Sequence, residues 1–235
     1  MRLITWNCQM AFRKKWPTLM VYQPDIMVIQ ECEQLAKYKE SERIPGVSDF
    51  LWVGDNVNKG VAVISFNGIK LERAEEYIPD FKYIVPVNVM SEVKMKLWAV
   101  WAMPVKNNRA ASYVGQVWQA VNYYASYLRH HDTILTGDFN SNAIWDNQRK
   151  NGNHTMVVEF LRQFGIESLY HWQSGEKPGE ESQPTFFLTK NREKPFHLDY
   201  CFLSSDLIDR DAKMAVGKVK DWIHLSDHVP LIVDF

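Results

Sequence analysis

Thr133-Ile134-Leu135-Thr136-Gly137-Asp138-Phe139-Asn140 is the stretch on which the reading of this chain turns. A run of strand-type residues stops at a glycine, and a carboxylate and an amide follow at once. Taken alone, Asp138 and Asn140 could be ordinary turn residues. The arrangement recurs in both directions. Upstream, the apolar run 3–6 ends on Asn7, and the run 26–29, of buried-strand type, leads through Gln30 to Glu31 just beyond it. Downstream, His197-Leu198-Asp199-Tyr200 introduces an apolar strand, and Ser226-Asp227-His228-Val229-Pro230 introduces the last one. Each piece has a plain structural reading: Asn7 as a turn cap, Glu31 as the first residue of a solvated helix, Asp199 as a strand cap, His228 as a satisfied core histidine. Together they assemble hard oxygen ligands, amides and one imidazole. Magnesium chemistry wants oxygen ligands, and phosphoryl transfer wants charge stabilisation and an oriented water.

Between these pieces strand and helix signals alternate without a linker or an internal period. Helical spacing is expected over 16–22, 110–128 and 155–164, the last ended by Gly165, and 33–43 reads as an exposed helix. Short strands are expected at 50–53, 61–65, 69–73, 83–89, 94–101, 185–188, 198–203, 214–220 and 229–234, with a loop over 171–184. Strand–helix units in both halves with meandering strands between suggest two packed sheets with helices outside, although periodicity alone fits other α/β arrangements too.

Composition narrows the class. The 235 residues are 46% hydrophobic and 13% aromatic, with nine tryptophans, enough apolar surface for one large core and no signature of disorder. A formal net charge of −1 argues against a tight, non-specific nucleic-acid binder more than against a metal-dependent enzyme, whose cation inverts the local field. The three cysteines lack framework or zinc spacing and suit a reducing compartment. No apolar run reaches membrane-spanning length and no leader pattern precedes the first strand, so a cytoplasmic location is expected, with no obligate protein partner inferred. The adjacent His130-His131 could suggest a zinc hydrolase, but neighbours on a helix end point apart and suit the helix C-terminus better.

The stretches Thr5-Trp6-Asn7, Ile29-Gln30-Glu31, Gly137–Asn140, His197–Tyr200 and Ser226–Pro230 stand in the order and approximate spacing of known motifs. On them the chain resembles the endonuclease/exonuclease/phosphatase superfamily, the deoxyribonuclease I-like and exonuclease III-like phosphoesterases. The resemblance implies a four-layer α/β/β/α sandwich, two mixed β-sheets face to face with helices outside, as one domain over 1–235. It implies a Mg²⁺- or Mn²⁺-dependent phosphoesterase. Glu31 would be the principal metal ligand, with Asn7 and Asp227 nearby. Asp138 would orient or deprotonate the attacking water, and Asn140 would hold a phosphate oxygen or position Asp138. His228 would hydrogen-bond the scissile phosphate, with Asp199 fixing its ring and favouring its charged form.

The chain also departs from that pattern. Many relatives carry a His or Tyr just before a proline after the central strand; here the stretch is Val100-Trp101-Ala102-Met103-Pro104, with Lys106, Asn107 or Asn108 as substitutes to consider. Gln9 stands where many abasic-site nucleases have an acidic residue. Phe186 and Phe196 resemble an apolar wall beside the phosphate in DNA-cleaving relatives, whereas Phe187 reads as core. Trp145 is a candidate substrate platform, and His154, opening a helix that Asn153 or Thr155 would cap, a candidate cleft residue. The leading expectation is a nuclease acting on DNA or RNA. Its rivals are a phosphatase or phosphodiesterase for a small or lipid-derived phosphate, and a binding protein that keeps the fold without the activity.

Overall fold

The computed structural model describes every residue except Val93 and His130. Fourteen strands are described: β1 (Arg2–Asn7), β2 (Ile26–Cys32), β3 (Asp49–Asn56), β4 (Lys59–Ser65), β5 (Lys70–Arg73), β6 (Ile84–Met90), β7 (Met95–Trp101), β8 (Thr133–Asp138), β9 (Ile166–Ser168), β10 (Phe186–Phe187), β11 (Pro195–Phe196), β12 (Asp199–Ser204), β13 (Lys213–Val216) and β14 (Leu231–Asp234). They form two six-stranded sheets, ordered β13-β14-β1-β2-β4-β3 and β5-β6-β7-β8-β12-β9, and a small β10-β11 ribbon. Both large sheets are mixed, because β1–β2 and β7–β8 run parallel within otherwise antiparallel ladders.

The uninterrupted apolar runs have a simple cause: the central strands are buried on both faces. Alternate residues Ile26 and Val28, Val61 and Val63, Leu97 and Ala99, Cys201 and Leu203 meet in one core between the sheets. Their neighbours Met27, Ile29, Ala62 and Ile64 face Phe12, Leu19 and Trp222 on one outer side. Trp98, Val100, Leu135 and Phe202 face Val117, Val121, Val157 and Leu161 of the helices Val114–Tyr123 and His154–Arg162 on the other. The result is the expected α/β/β/α layering.

Several local expectations are corrected. Residues 33–43 form two short 3-10 turns rather than a helix, because Glu33 is buried, accepting a hydrogen bond from Phe12 N and pairing with Arg13. The long helix over 110–128 shortens to Val114–Tyr123, its approach being a turn held by Ser112 and Asn108. A helix, Leu169–Ser174, occupies the start of the stretch read as a loop. The strand read over 214–220 ends at Val216 and is followed by the helix Val219–Trp222. Of the histidine pair, His130 lies outside the described residues, and His131 is exposed and ion-paired with Asp206 rather than set on a helix end. Cys8, Cys32 and Cys201 are free and buried. No described helix is long and apolar enough to cross a membrane.

Candidate active site

The topology brings the polar strand ends together. Asn7 closes β1 opposite Gln30 of the parallel β2, and Asp138 closes β8 opposite Trp101 of the parallel β7 and Asp199 of the antiparallel β12. The sheets approach closely here. A Cβ at Gly137, whose φ is +140°, would stand 2.0 Å from Val100 O and 2.8 Å from Gln30 Nε2, so only glycine fits before Asp138.

Asp138 is fully buried and saturated with donors. Its Oδ2 accepts from Asn7 Nδ2 and Asn140 Nδ2, each at 3.0 Å, and its Oδ1 accepts from Asn140 N at 2.9 Å. Asn140 also donates to Ala102 O at 3.0 Å, which anchors the amide to the end of the central strand. Across from it, His228 Nδ1 meets Asp199 Oδ2 at 2.8 Å, while its Nε2 stands 3.9 Å from Asp138 Oδ2. The imidazole is thus held between two buried carboxylates. Burial pulls the His228 pKa down, but Asp199 and then Asp138 outweigh it and push it up to about 10. Burial likewise raises Asp138 to about 7, against the pull of the His228 charge. Asp199 Oδ1 is buried with no hydrogen-bond partner among the described residues, so the ring carries most of that carboxylate's compensation. The arrangement is a charged donor beside a proton acceptor, each fixed by a third group.

Further contacts join the backbone around the trio. Ser226 Oγ donates to Asn7 O at 2.7 Å and accepts from His228 N at 3.1 Å, joining the ends of β1 and the last motif. Trp6 Nε1 donates to His228 O at 2.9 Å. Thr185 Oγ1 accepts from the amides of Leu198 and Asp199. Ser226 was legible in its motif; Thr185 was legible only as the start of a strand beside the apolar wall.

Glu31 differs from expectation. It lies within β2 rather than beyond it, at a break in register against β4, with a left-handed φ of 58°. The irregularity turns its side chain out of the strand's alternation. Its carboxylate is 19% exposed and pairs with Lys59 Nζ at 3.2 Å, and Lys59 in turn lies over the Trp101 ring. Asp227 is half-buried, and its carboxylate makes no closer hydrogen bond among the described residues than 3.5 Å, to Ser226 Oγ. The carboxylates of Glu31 and Asp227 and the amide oxygen of Asn7, which accepts from Gln9 N at 3.1 Å, are hard-oxygen donors of the kind a divalent cation takes. Asp138, Asp199 and His228 also offer atoms within 4.8 Å of one another. However, the ring nitrogen facing Asp199 and the Asp138 oxygens are already engaged by protein groups, which disfavours that trio as ligands.

The remaining candidates separate. The Phe186 ring is 4.6 Å from the His228 ring, and Phe186, Phe196 and Trp145 continue as a chain of ring contacts at 6.4 and 5.2 Å. Trp145 lines a cavity of about 730 Å³ that also takes in Asn140, Asn107, Arg109 and Tyr113. Phe187 is core, as read from the sequence. His154 is corrected: it is 1% exposed, bonded to Ser141 Oγ and packed on Tyr200, so it cannot meet a substrate. Asn153 caps that helix by accepting from Met156 N. At the departure point, the Trp101 side chain packs into the core between the sheets. Asn107 and Asn108 line the cavity, and Lys106 does not.

A family model described as Endonuclease/Exonuclease/phosphatase family matches residues 4–228. No curated protein matches. Among solved structures, the chain is similar to a 3'-5' exonuclease (NExo) from Neisseria meningitidis, at 19% identity and a TM-score of 0.72, covering 100% of this chain and 99% of that one. An AP endonuclease from Archaeoglobus fulgidus is similar at 17% identity and a TM-score of 0.73, with 100% and 99% covered. D. rerio TDP2, complexed with a single-strand DNA product, gives 16% identity, a TM-score of 0.67, and 99% and 97% covered. At such identities the likeness is one of fold.

Proposed function

Because the chain belongs to the endonuclease/exonuclease/phosphatase family, we propose that it is a divalent-metal-dependent phosphodiesterase, a nuclease that hydrolyses a DNA or RNA phosphodiester by in-line attack of water. The observation that carries this reading is the buried trio in which His228 stands between Asp199 and Asp138, with Asn7 and Asn140 fixing the latter. Asp138 takes the proton of the attacking water; its raised pKa makes it a better acceptor near neutral pH than an ordinary carboxylate. Asn7 and Asn140 aim its oxygens. His228, charged at neutral pH, donates from Nε2 to a non-bridging phosphate oxygen, and Asp199 holds the ring in that orientation. Glu31 and Asp227, with Asn7, would hold Mg²⁺ or Mn²⁺, which when bound stabilises the leaving oxygen and the charge gathering on the phosphoryl group. The products are a free alcohol and a phosphate monoester.

The half-buried rings of Phe186, Phe196 and Trp145, stepping from His228 toward the cavity, favour a substrate with stacking groups and hence a polynucleotide over a lipid headgroup. The test is hydrolysis with Mg²⁺ or Mn²⁺ across single- and double-stranded DNA, RNA, bis-p-nitrophenyl phosphate, nucleotides and lipid phosphates, with Asp138→Asn as control. Cleavage of polynucleotide, lost in the variant, is expected. Cleavage confined to small or lipid phosphates would transfer the site to that class. Metal binding without turnover on any of them would make the protein a binding module.

A further inference from the structure

The loop that follows Asn7 is an unusual piece of backbone. Gln9, Met10 and Ala11 all have left-handed φ values, 50°, 65° and 54°, and none is a glycine. Consecutive non-glycine residues in that region are costly and persist only where the surroundings hold them. Gln9 N donates to Asn7 Oδ1 and Lys14 N to Ala11 O, and a half-buried lysine from the turn that follows gathers the start of the run. Lys15 Nζ donates to Cys8 O at 2.6 Å, Gln9 O at 3.3 Å and Leu225 O at 2.7 Å, so its three donors meet three main-chain carbonyls. Two acceptors lie in the loop after β1, and the third lies in the loop that leads through Ser226 to Asp227 and His228. The charged groups facing the ammonium are Asp227, Glu33 and Lys190, the first two favouring its charge and the third opposing it.

We propose that Lys15 is a positioning residue for the cation pocket, a built-in clamp that ties the loop carrying Asn7 to the loop carrying Asp227. The inference rests on the reading that Glu31, Asp227 and Asn7 hold the divalent cation. Asn7 and Asp227 come from opposite ends of the chain, and their surroundings are joined by Trp6 Nε1 on His228 O, by Ser226 Oγ on Asn7 O, and by Lys15, which alone reaches the loop beyond Asn7 among these three. The serine fixes one point of contact. The lysine fixes the course of the strained backbone behind it, and with it the spacing of the two side chains. Carbonyl oxygens alone would need a bound monovalent ion to be gathered in this way; the ammonium supplies that charge covalently.

The experiment compares wild type, Lys15→Met, Lys15→Gln and Glu31→Gln for Mn²⁺ binding by electron paramagnetic resonance, without substrate, alongside the Mg²⁺ dependence of turnover. Lys15→Met removes the charge at nearly constant volume. It is expected to weaken Mn²⁺ binding by about tenfold, with the Mg²⁺ half-saturation moving in step and kcat recovering at high metal. Lys15→Gln, which keeps two donors, is expected to fall between, and it reads the same shift should Lys15→Met fail to fold. Methylammonium added to a further variant, Lys15→Ala, should restore part of the metal affinity. Unchanged Mn²⁺ affinity in the Lys15 variants, with affinity lost in Glu31→Gln, overturns the clamp and leaves the metal reading standing. Unchanged affinity in Glu31→Gln as well overturns the metal reading and the clamp with it.

Discussion

Asp138, Asp199 and His228 are walled in, with side chains no more than 5% exposed, whereas Glu31 is 19% exposed and Asp227 half-buried. The two groups, which meet at the consecutive residues Asp227 and His228, are built on different plans. The first is drawn mostly from β8 and β12, regular strands whose ends meet in register, and the Asp138 oxygens and His228 Nδ1 are hydrogen-bonded to protein groups. The second hangs on an irregular point of β2 and on the loop before β14, where the backbone leaves the ladder and one carboxylate rests on a lysine. A proton acceptor and an oriented donor gain from fixed geometry and low dielectric. A cation site gains from carboxylates that can change partners, because its ligands must exchange one positive charge for another. The contrast therefore divides the site into a preorganised half and an exchangeable half.

Losing the fixed half should cost most. Asp138→Asn is expected to reduce turnover about 1,000-fold at any metal concentration, with the fold intact by circular dichroism; recovery at high metal would show that the two halves are not separate. Glu31→Gln, in the exchangeable half, should raise the Mg²⁺ needed for half-maximal rate by roughly 100-fold and let the rate climb back as metal is added. A loss that no metal concentration repairs would place Glu31 with the fixed half instead.

The layer behind the fixed half has its own signature in stability against pH. Burial lowers the His154 pKa to about 4, and its Nε2 has no partner among the described residues, so the ring is buried neutral. Between its unfolded value of about 6.5 and the folded value, the unfolded chain binds a proton that the native chain does not. Native stability therefore falls as pH drops through that window, by up to roughly 3 kcal/mol from this ring alone. His154→Gln should flatten that slope relative to wild type in urea titrations at pH 7 and pH 4; parallel curves would mean the ring is not buried neutral. The smallest effect is expected at the aromatic steps. Phe196→Ala should raise KM for polynucleotide by about tenfold, in line with the loss of roughly one stacked base, and leave small phosphodiesters unaffected.

Much of this was legible before folding. Gly137-Asp138-Phe139-Asn140 and Ser226-Asp227-His228 announce themselves because strand propensity, glycine and polar chemistry coincide within a few consecutive residues. Long apolar runs identified buried strands for the same reason. What was misread depended on distant partners. Glu33 sits in a stretch with helical composition, yet it is spent on Phe12 and Arg13. His154 opens a helix in a way that suits a cleft residue, yet the neighbouring layer covers it. Nothing near Lys15 or Lys59 in sequence marks the carbonyls or the carboxylate they meet.

By itself the sequence determined an α/β class and, through short motifs that resemble a known family, the expected layering and the identities of the residues gathered at its strand ends, since turn chemistry and motifs are properties of neighbours along the chain. Only the tertiary structure decided which of those residues face one another. The Asn7–Asp138 hydrogen bond spans 131 residues, and the bond from Ser226 to Asn7 spans 219. Such pairings follow from strand order, register and the packing of one sheet on the other. Those are set by the whole core at once, and so no local stretch contains them.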